Sequence, residues 1–435
     1  MQPVRIGILG MGTVGGGTVK LLAANAAEIA RRLGREVAVT AAASRNAERA
    51  ERLCPPGTAV GTDVFQVAAH PEVDIVVELI GGTDVAREAV ICAIKNGKHV
   101  VTANKKLLAE HGNEIFALAG QHNVMVMFEA AVAGGIPIIK ALREGLAANQ
   151  IQSVAGIING TSNFILSEMR DHGSAFSDVL KEAQQLGYAE ADPTFDIEGH
   201  DAAHKLSIMS ALAFGTPIHF DACYLEGISK LESQDIRYAE ELGYRIKLLG
   251  ITRKTEQGIE LRVHPTLIPE CRLLAKVEGV MNAVLVQSNM VGETLYYGAG
   301  AGASPTASAV VADIIDIARL LNADSAHRVP PLAFRQSGGT LRVLPIEEII
   351  SSYYLRVSAE DEPGVLSDIA GILAAQGVSI EALIQKGVIN HQTAEIVILT
   401  HRAQEKRIQS AIAQIEALPR VTAPVTMIRM ESLHG

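Results

Sequence analysis

The sequence predicts an α/β chain with a parallel sheet at its N-terminus, an α+β domain in the middle and a small βαββαβ domain at its C-terminal end. Three observations carry that prediction. Between residues 1 and 130 the apolar runs Val4–Leu9, Val37–Ala43, Val73–Leu79, His99–Thr102 and Val124–Phe128 alternate with helical stretches, the pattern of βαβ units. A glycine triplet, Gly10, Gly12 and Gly15, follows the first of these runs. From residue 350 to 432 apolar runs and helical periods recur in the order β-α-β-β-α-β. A length of 435 residues leaves room for these parts, at roughly 150 residues per domain.

Composition narrows the functional class. Apolar residues make up 48% and charged residues 20%, as in ordinary globular proteins. Lysine and arginine total 38 against 48 acids, a net charge of −10 without any cationic block, which excludes the footprint of a nucleic-acid or anionic-membrane binder. The absence of Trp and the 4% aromatic content argue against base-stacking platforms. Cys54, Cys92, Cys223 and Cys271 have neither disulfide-framework nor zinc spacing, and the expected location is cytoplasmic. Gly145–Ser167 is an uncharged stretch of bilayer length, but its Asn, Gln and Ser side chains exclude a membrane span. The residues ahead of Val4 carry neither a basic region nor a cleavable apolar segment, so no secretory signal is expected.

In the first domain, residues 1–130, Gly10-Met11-Gly12-Thr13-Val14-Gly15 joins a strand to a helix beginning near Thr13. Gly10 permits the tight turn, Gly12 lets a pyrophosphate approach the backbone, and Gly15 lets helix pack on strand, so a Rossmann-like dinucleotide site is expected. After the second strand Arg45 stands near the place where an NAD site usually carries an acid; a 2′-phosphate partner and a solvated surface arginine are both open readings. Ile80–Thr83 and Thr102–Lys106 follow later strands, where ligands of parallel sheets bind, and this points Lys105 toward the crevice. In Phe128–Pro137 a carboxylate precedes small residues whose carbonyls suit a hard cation, although the residues alone favour a Gly-Gly hinge.

The second domain, residues 131–305, has expected strands at Gln150–Ile158, Ile259–Leu267 and Ala283–Val291. An amphipathic helix over residues 306–321 returns to the nucleotide domain, and residues 322–349 form a linker containing Pro330, Pro331, Ser337, Gly338 and Gly339. Gly187–Lys205 concentrates acids in a loop ahead of a helix starting near Gly199. Asp201 and Lys205 share one face at i,i+4, the spacing of a proton-relay pair or of a plain surface ion pair. His200 and His204 also lie at i,i+4, but Asp201 stands where a zinc hydrolase needs Glu, which favours ordinary helix histidines.

In order along residues 1–320, Gly10–Gly15, Thr102–Lys106, Phe128–Pro137, Asn159-Gly160-Thr161-Ser162-Asn163, Gly187–Lys205 and Gly298–Thr306 resemble the homoserine dehydrogenase family. The Gly187–Lys205 segment is particular to that family, whereas the glycine fingerprint is widespread. The tail, with Asp361-Glu362-Pro363-Gly364-Val365-Leu366 and Gly377-Val378-Ser379-Ile380, resembles an ACT domain.

The resemblance implies hydride transfer between NAD or NADP and the C4 alcohol of L-homoserine, giving L-aspartate 4-semialdehyde. It implies Lys205, Lys105 and Asp201 as catalytic residues and Glu190 and Asp196, with Lys105, around the substrate. Gly10, Gly12, Thr13, Val14, Gly15, Arg45, Thr102, Lys105, Gly187 and Gly302 form the expected cofactor set. Glu129 and the carbonyls of Val132, Gly134 and Ile136 are implied ligands of a structural sodium ion. The family also implies a homodimer or homotetramer and L-threonine as an effector of the tail. Two other classes remain open: a dehydrogenase of another small amino or oxo acid, and a non-enzymatic amino-acid sensor. Since the implied active-site residues precede residue 320, a cut near Ser337 is expected to leave an active enzyme insensitive to threonine.

Overall fold

The computed structural model describes residues 2–336, 341–389 and 393–433. The elements begin with β1 (Val4–Leu9), α1 (Thr13–Ala24), α2 (Ala26–Leu33), β2 (Val37–Ala43), α3 (Ala47–Leu53), β3 (Ala59–Gly61), α4 (Val64–Ala68) and β4 (Ile75–Glu78). Next come α5 (Asp84–Lys95), β5 (His99–Thr102), α6 (Lys105–Gln121), β6 (Val126–Met127), α7 (Ile138–Lys140), β7 (Ile151–Ile157), α8 (Gly160–His172), α9 (Phe176–Gln185), α10 (Thr194–Ile197) and α11 (His200–Phe214). The chain continues through β8 (Tyr224–Leu225), α12 (Ser233–Glu241), β9 (Tyr244–Lys254), β10 (Ile259–Pro269), β11 (Met281–Ser288), β12 (Gly292–Ala299) and α13 (Ala303–Leu320). The last elements are β13 (Ile350–Glu360), α14 (Val365–Ala375), β14 (Ile380–Ile389), β15 (Thr393–Thr400), β16 (Ala403–Gln404), α15 (Glu405–Glu416) and β17 (Thr426–Met430). Among the described residues no helix is long and apolar enough to cross a membrane.

These elements form two compact units. The first contains the chain up to Gly160, then Asp201–Asp221 and Val280–Leu341; the second contains Thr161–His200, Ala222–Gly279 and the chain from Arg342 onward.

The first unit is built on a six-stranded parallel sheet in the order β3-β2-β1-β4-β5-β6. Its direction of progression reverses between β1 and β4, which opens a crevice at their carboxyl ends. One face is covered by α1 and α13 through Val19, Leu22, Val310, Ile314 and Ile317. The other is covered by α5 and α6 through Val90, Ile94, Leu107 and Ile115. The apolar positions of α13 fall at helical spacing, so the return helix expected at 306–321 forms, beginning three residues earlier at Ala303. The same unit holds the antiparallel strands β7, β11 and β12. Strand β11 ends at Ser288 rather than Val291, because Asn289–Val291 form an exposed hairpin turn before Gly292, whose φ is +74°.

In the second unit β9 and β10 pair antiparallel over their whole length. No strand is predicted over β9 from sequence alone. Its interior is nearly all buried, including Lys247 and Thr252, so it lacks the polar/apolar alternation of a half-exposed strand. The tail forms the expected βαββαβ module, with α14 and α15 packed on its sheet through Ile369, Leu373, Ile408 and Ile415.

That module is not a pendant. Strand β17 pairs with β13 on one side and runs parallel to β10 on the other, at Thr266↔Arg429 and Leu267↔Met430. Buried charges cross the same junction. Arg356 meets Asp235 through Nε at 2.6 Å and Nη2 at 3.0 Å, and the Tyr354 hydroxyl donates to Asp235 at 3.0 Å. Arg429 bonds Glu405 and Glu226, while Arg262 bonds Glu260 and Glu431. A cut near Ser337, which lies outside the described residues, would therefore strip β10 of a partner, take Arg356 from Asp235 and leave Arg262 with Glu260 alone. This revises the expectation of a freely removable tail.

Arg356→Met should lower the unfolding free energy by about 3–5 kcal/mol, because it leaves the fully buried Asp235 without its counter-charge. Urea unfolding of the two proteins measures the difference; a loss below about 1 kcal/mol would reduce the pair to the value of a surface bridge.

Candidate active site

The cofactor end of the first unit is shaped by close backbone contacts. Gly10 has φ +99°, and a Cβ there would lie 2.5 Å from the Leu79 carbonyl oxygen. A Cβ on Gly15 would lie 2.1 Å from the Gly10 carbonyl oxygen, whereas one on Gly12 would meet nothing within 4 Å. Turn and helix–strand packing thus demand glycine at the first and third positions, and the second leaves room for a ligand. Gly12 is the N-cap of α1, and no side chain caps that helix. The first-turn N–H groups, Thr13 and Val14 among them, accordingly suit an anion.

Helix α13 likewise lacks a side-chain cap, with Gly302 at φ +123° as its N-cap. Ala303 and Ser304 from its first turn line a cavity of about 530 Å³ together with Gly12, Thr13, Lys20 and Arg49. Two uncapped helix N-termini and two cations make this space complementary to phosphate. Arg45 is exposed just beyond β2, while Arg49, one turn into α3, lines the cavity wall. Sequence reasoning passed over Lys20 and Arg49 because nothing local separates them from other surface cations.

The loops after β4 and β5 are tied by another residue without a local signal. Glu78 is fully buried; its carboxylate accepts the Thr102 hydroxyl at 2.6 Å and the N–H groups of Ile80 and Gly81 at 2.8 and 3.3 Å. Burial raises the pKa of Glu78 against those bonds. Asn104 donates its side-chain amide to Gly82 O at 2.7 Å and caps α6 by accepting from Leu107 N–H. Lys105, the first residue of α6, is thereby set at the carboxyl end of β5.

Lys105 and Lys205 converge on one carboxylate. Lys105 Nζ lies 2.8 Å from Asp201 Oδ1, and Lys205 Nζ donates to Asp201 Oδ2 at 2.6 Å. Asn159 donates its amide to Oδ2 at 2.9 Å, and Lys205 also donates to the Ile158 carbonyl at 2.7 Å. Burial alone would raise the Asp201 pKa, but the two ammonium groups outweigh it and hold the carboxyl well below the usual range. Lys205 is 8% exposed, whereas the Lys105 side chain is 35% exposed, so Lys105 is the more accessible donor.

The motif containing Asn159 is occupied throughout. A Cβ on Gly160 would meet Val280 O at 2.7 Å. Thr161 Oγ1 donates to Tyr188 O and Ser162 Oγ to Asp196 O, at 2.7 and 2.9 Å. Asn163 donates to Val277 O and Gly279 O. The acidic loop, which belongs to the second unit, thus has its main chain fixed at Tyr188 and Asp196. Gly187 has φ +76°, and Glu190 is exposed with no ion pair among the described residues. His204 packs its ring 4.3 Å from that of Phe220 in the first unit, and His200 stacks on Phe195 in the second.

Around Glu129 the structure adds a second acid. The Glu129 carboxylate accepts Ile139 and Lys140 N–H at 2.8 and 2.9 Å, and its own N–H donates to Asp313 at 2.7 Å. Burial and then the Glu129 charge push Asp313 up to about 7. Its Oδ1 is buried without a hydrogen-bond donor among the described residues. Lys140 pairs with Asp316 and Arg143 with Glu144, so neither basic residue is reserved for these two acids. Ala133 and Gly134 are left-handed, at φ +54° and +50°, and the Ile136 carbonyl accepts Ile138 N–H at 2.8 Å. Two buried acids beside a loop of carbonyls fit a cation.

Comparison with known proteins locates the whole chain. Family models match residues 10–129 (homoserine dehydrogenase, NAD binding domain), 137–315 (homoserine dehydrogenase) and 353–420 (ACT domain). The chain is 72% identical to homoserine dehydrogenase of Neisseria gonorrhoeae, over 100% of both chains. It superimposes on a crystal structure of a homoserine dehydrogenase from Thiobacillus denitrificans with a TM-score of 0.95 at 62% identity, covering 100% of this chain and 99% of that one. A hyperthermophilic archaeal homoserine dehydrogenase in complex with NADPH aligns at 28% identity and a TM-score of 0.63, over 74% of this chain and 98% of that one.

Gly15→Ala should abolish detectable dinucleotide binding, since its Cβ would overlap the Gly10 carbonyl and push α1 off β1. Titration of NADPH fluorescence tests this, and affinity within about threefold of the unaltered protein, less than 1 kcal/mol, would contradict the packing argument.

Proposed function

Because the chain belongs to the homoserine dehydrogenase family, we propose that Lys205, Asp201 and Lys105 carry the proton transfer of L-homoserine oxidation and L-aspartate 4-semialdehyde reduction. The protein is an oxidoreductase with an NAD-binding domain and an ACT domain. The observation that carries the assignment is one buried carboxylate shared by two lysines at the crevice of the nucleotide sheet. That carboxylate brings the two lysine side chains to one point, where either can meet the substrate oxygen.

When bound, the nicotinamide accepts or delivers the hydride at the substrate C4. The chain supplies the rest. In oxidation a neutral lysine takes the hydroxyl proton as the C–H bond breaks; in reduction the ammonium returns it to the carbonyl oxygen. Lys205 is assigned this role because Asp201 and the Ile158 carbonyl hold its Nζ. Lys105 is assigned to the same substrate oxygen, and Asp201 orients both. The exposed Glu190, which has no ion pair among the described residues, is the proposed acceptor for the substrate ammonium, with Asp196 nearby in sequence.

The glycine turn, Thr13, Val14, Thr102, Gly187 and Gly302 form the proposed cofactor set. Arg45 and Arg49 favour a 2′-phosphate, and the NADPH complex of the archaeal relative supports NADP as the working cofactor. Glu129 with the carbonyls of Val132, Gly134 and Ile136 is the proposed sodium site, where a cation would offset the acid of Glu129 and Asp313. The reaction places the protein in threonine, methionine and isoleucine biosynthesis. A homodimer or homotetramer and L-threonine as effector of the ACT domain complete the reading.

Lys205→Met should lower turnover by about 10²–10⁴-fold in both directions with unchanged NADPH affinity. The residual homoserine oxidation should lose the rise with pH that deprotonation of the base produces. Near-normal turnover would transfer the role to Lys105. For the effector, initial rates against rising L-threonine should fall in the unaltered protein by about 5–150-fold in apparent affinity. Rates flat in threonine would leave the ACT domain with an assembly role alone.

A further inference from the structure

A second charged cavity lies in the first unit at β6, the edge strand of the parallel sheet. It holds about 220 Å³ and is lined by Arg143, Arg328 and Arg335 together with apolar groups that include Met127, Val329 and Pro330. Among the described residues no acid lines it. Arg143 pairs with Glu144 at 2.7 Å. The other two guanidiniums have no ion pair among the described residues: Arg328 donates to Asn123 O, and Arg335 to Ala326 O and Arg328 O. Arg328 Nε is buried with no acceptor among the described residues. His99, close enough to feel the Arg328 charge, is held neutral by burial and by that charge, and its Nδ1 accepts Met125 N–H, so it supplies no counter-charge.

Three guanidiniums without a lining acid, in a protein with ten excess negative charges, form a site for an anion. The shape of the lining selects among anions. Inorganic phosphate is usually cradled by several main-chain N–H groups, whereas methionine, valine and proline walls reward a short apolar body. An amino acid would bring an ammonium group beside three guanidiniums with no lining carboxylate to receive it. We propose that this cavity binds a small organic carboxylate without an ammonium group, of the 2-oxo acid class, its carboxylate held by Arg328 and Arg335 and its carbon chain by Met127, Val329 and Pro330. The site is separate from the Asp201 cluster and does not depend on how the reaction there is assigned.

Equilibrium dialysis of the full-length protein with labelled 2-oxobutanoate and labelled L-2-aminobutanoate, isosteric except for oxo against ammonium, tests the proposal. The oxo acid should bind at least about tenfold more tightly, and Arg328→Gln and Arg335→Gln should each weaken it about tenfold or more. Homoserine oxidation should be unchanged in both variants, which shows that the loss does not come from carboxylate binding at the active site. Arg335 is exposed, so its variant keeps the test open if Arg328→Gln fails to fold. Equal binding of the two acids, binding unaffected by either substitution, or retention of phosphate alone would each overturn the assignment.

Discussion

The arrangement of the first unit depends on keeping Asp201 ionised where almost no water reaches it. An isolated carboxylate in such a place would take up a proton, because burial penalises its charge. Lys105 and Lys205 reverse the balance, one on each oxygen, and the Asn159 amide adds a further donor. Each partner is delivered by a different element: α6 begins with Lys105, α11 carries Asp201 and Lys205, and Asn159 follows β7. The requirement therefore fixes three elements at once. It also gathers two lysines around one acid.

A related constraint acts in the second unit. Asp235 and Arg429 are almost entirely buried, Arg356 nearly so, and each is matched by an opposite charge brought from a distant part of the chain. Such pairs add little net stability compared with apolar packing, but breaking one is costly. They consequently specify docking more than they strengthen it, and they account for a C-terminal module whose last strand lies between β10 and β13. The module shares its sheet with the strands it packs beside, so its removal is a structural loss.

Charge balance also separates the remaining polar clusters of the first unit. Among the described residues Glu129 and Asp313 share Lys140 and Arg143 with Asp316 and Glu144, and Arg328 and Arg335 have no ion pair. The two clusters lie on different groups, and one is suited to a cation held by oxygen while the other is suited to an organic anion.

The sequence by itself determined the features that rest on neighbours in the chain. The extents of β1, β2 and β5 follow from short apolar runs. The glycine turn follows from backbone sterics, and the i,i+4 pairing of Asp201 with Lys205 follows from helical pitch. Tertiary structure alone decided which distant groups share a charge. Asn159 reaches Asp201 across 42 residues, and Arg356 reaches Asp235 across 121. Glu78, Asp313 and Arg328 carry no local mark distinguishing them from surface residues. Strand β9 was hidden for the same reason, since Lys247 is buried by its bonds to Val277 O, Asn163 and Glu278 rather than by any pattern of its own. Local periodicity records which face of an element is buried, but the cost of burying a charge is offset only by a partner, and partners are chosen by the fold.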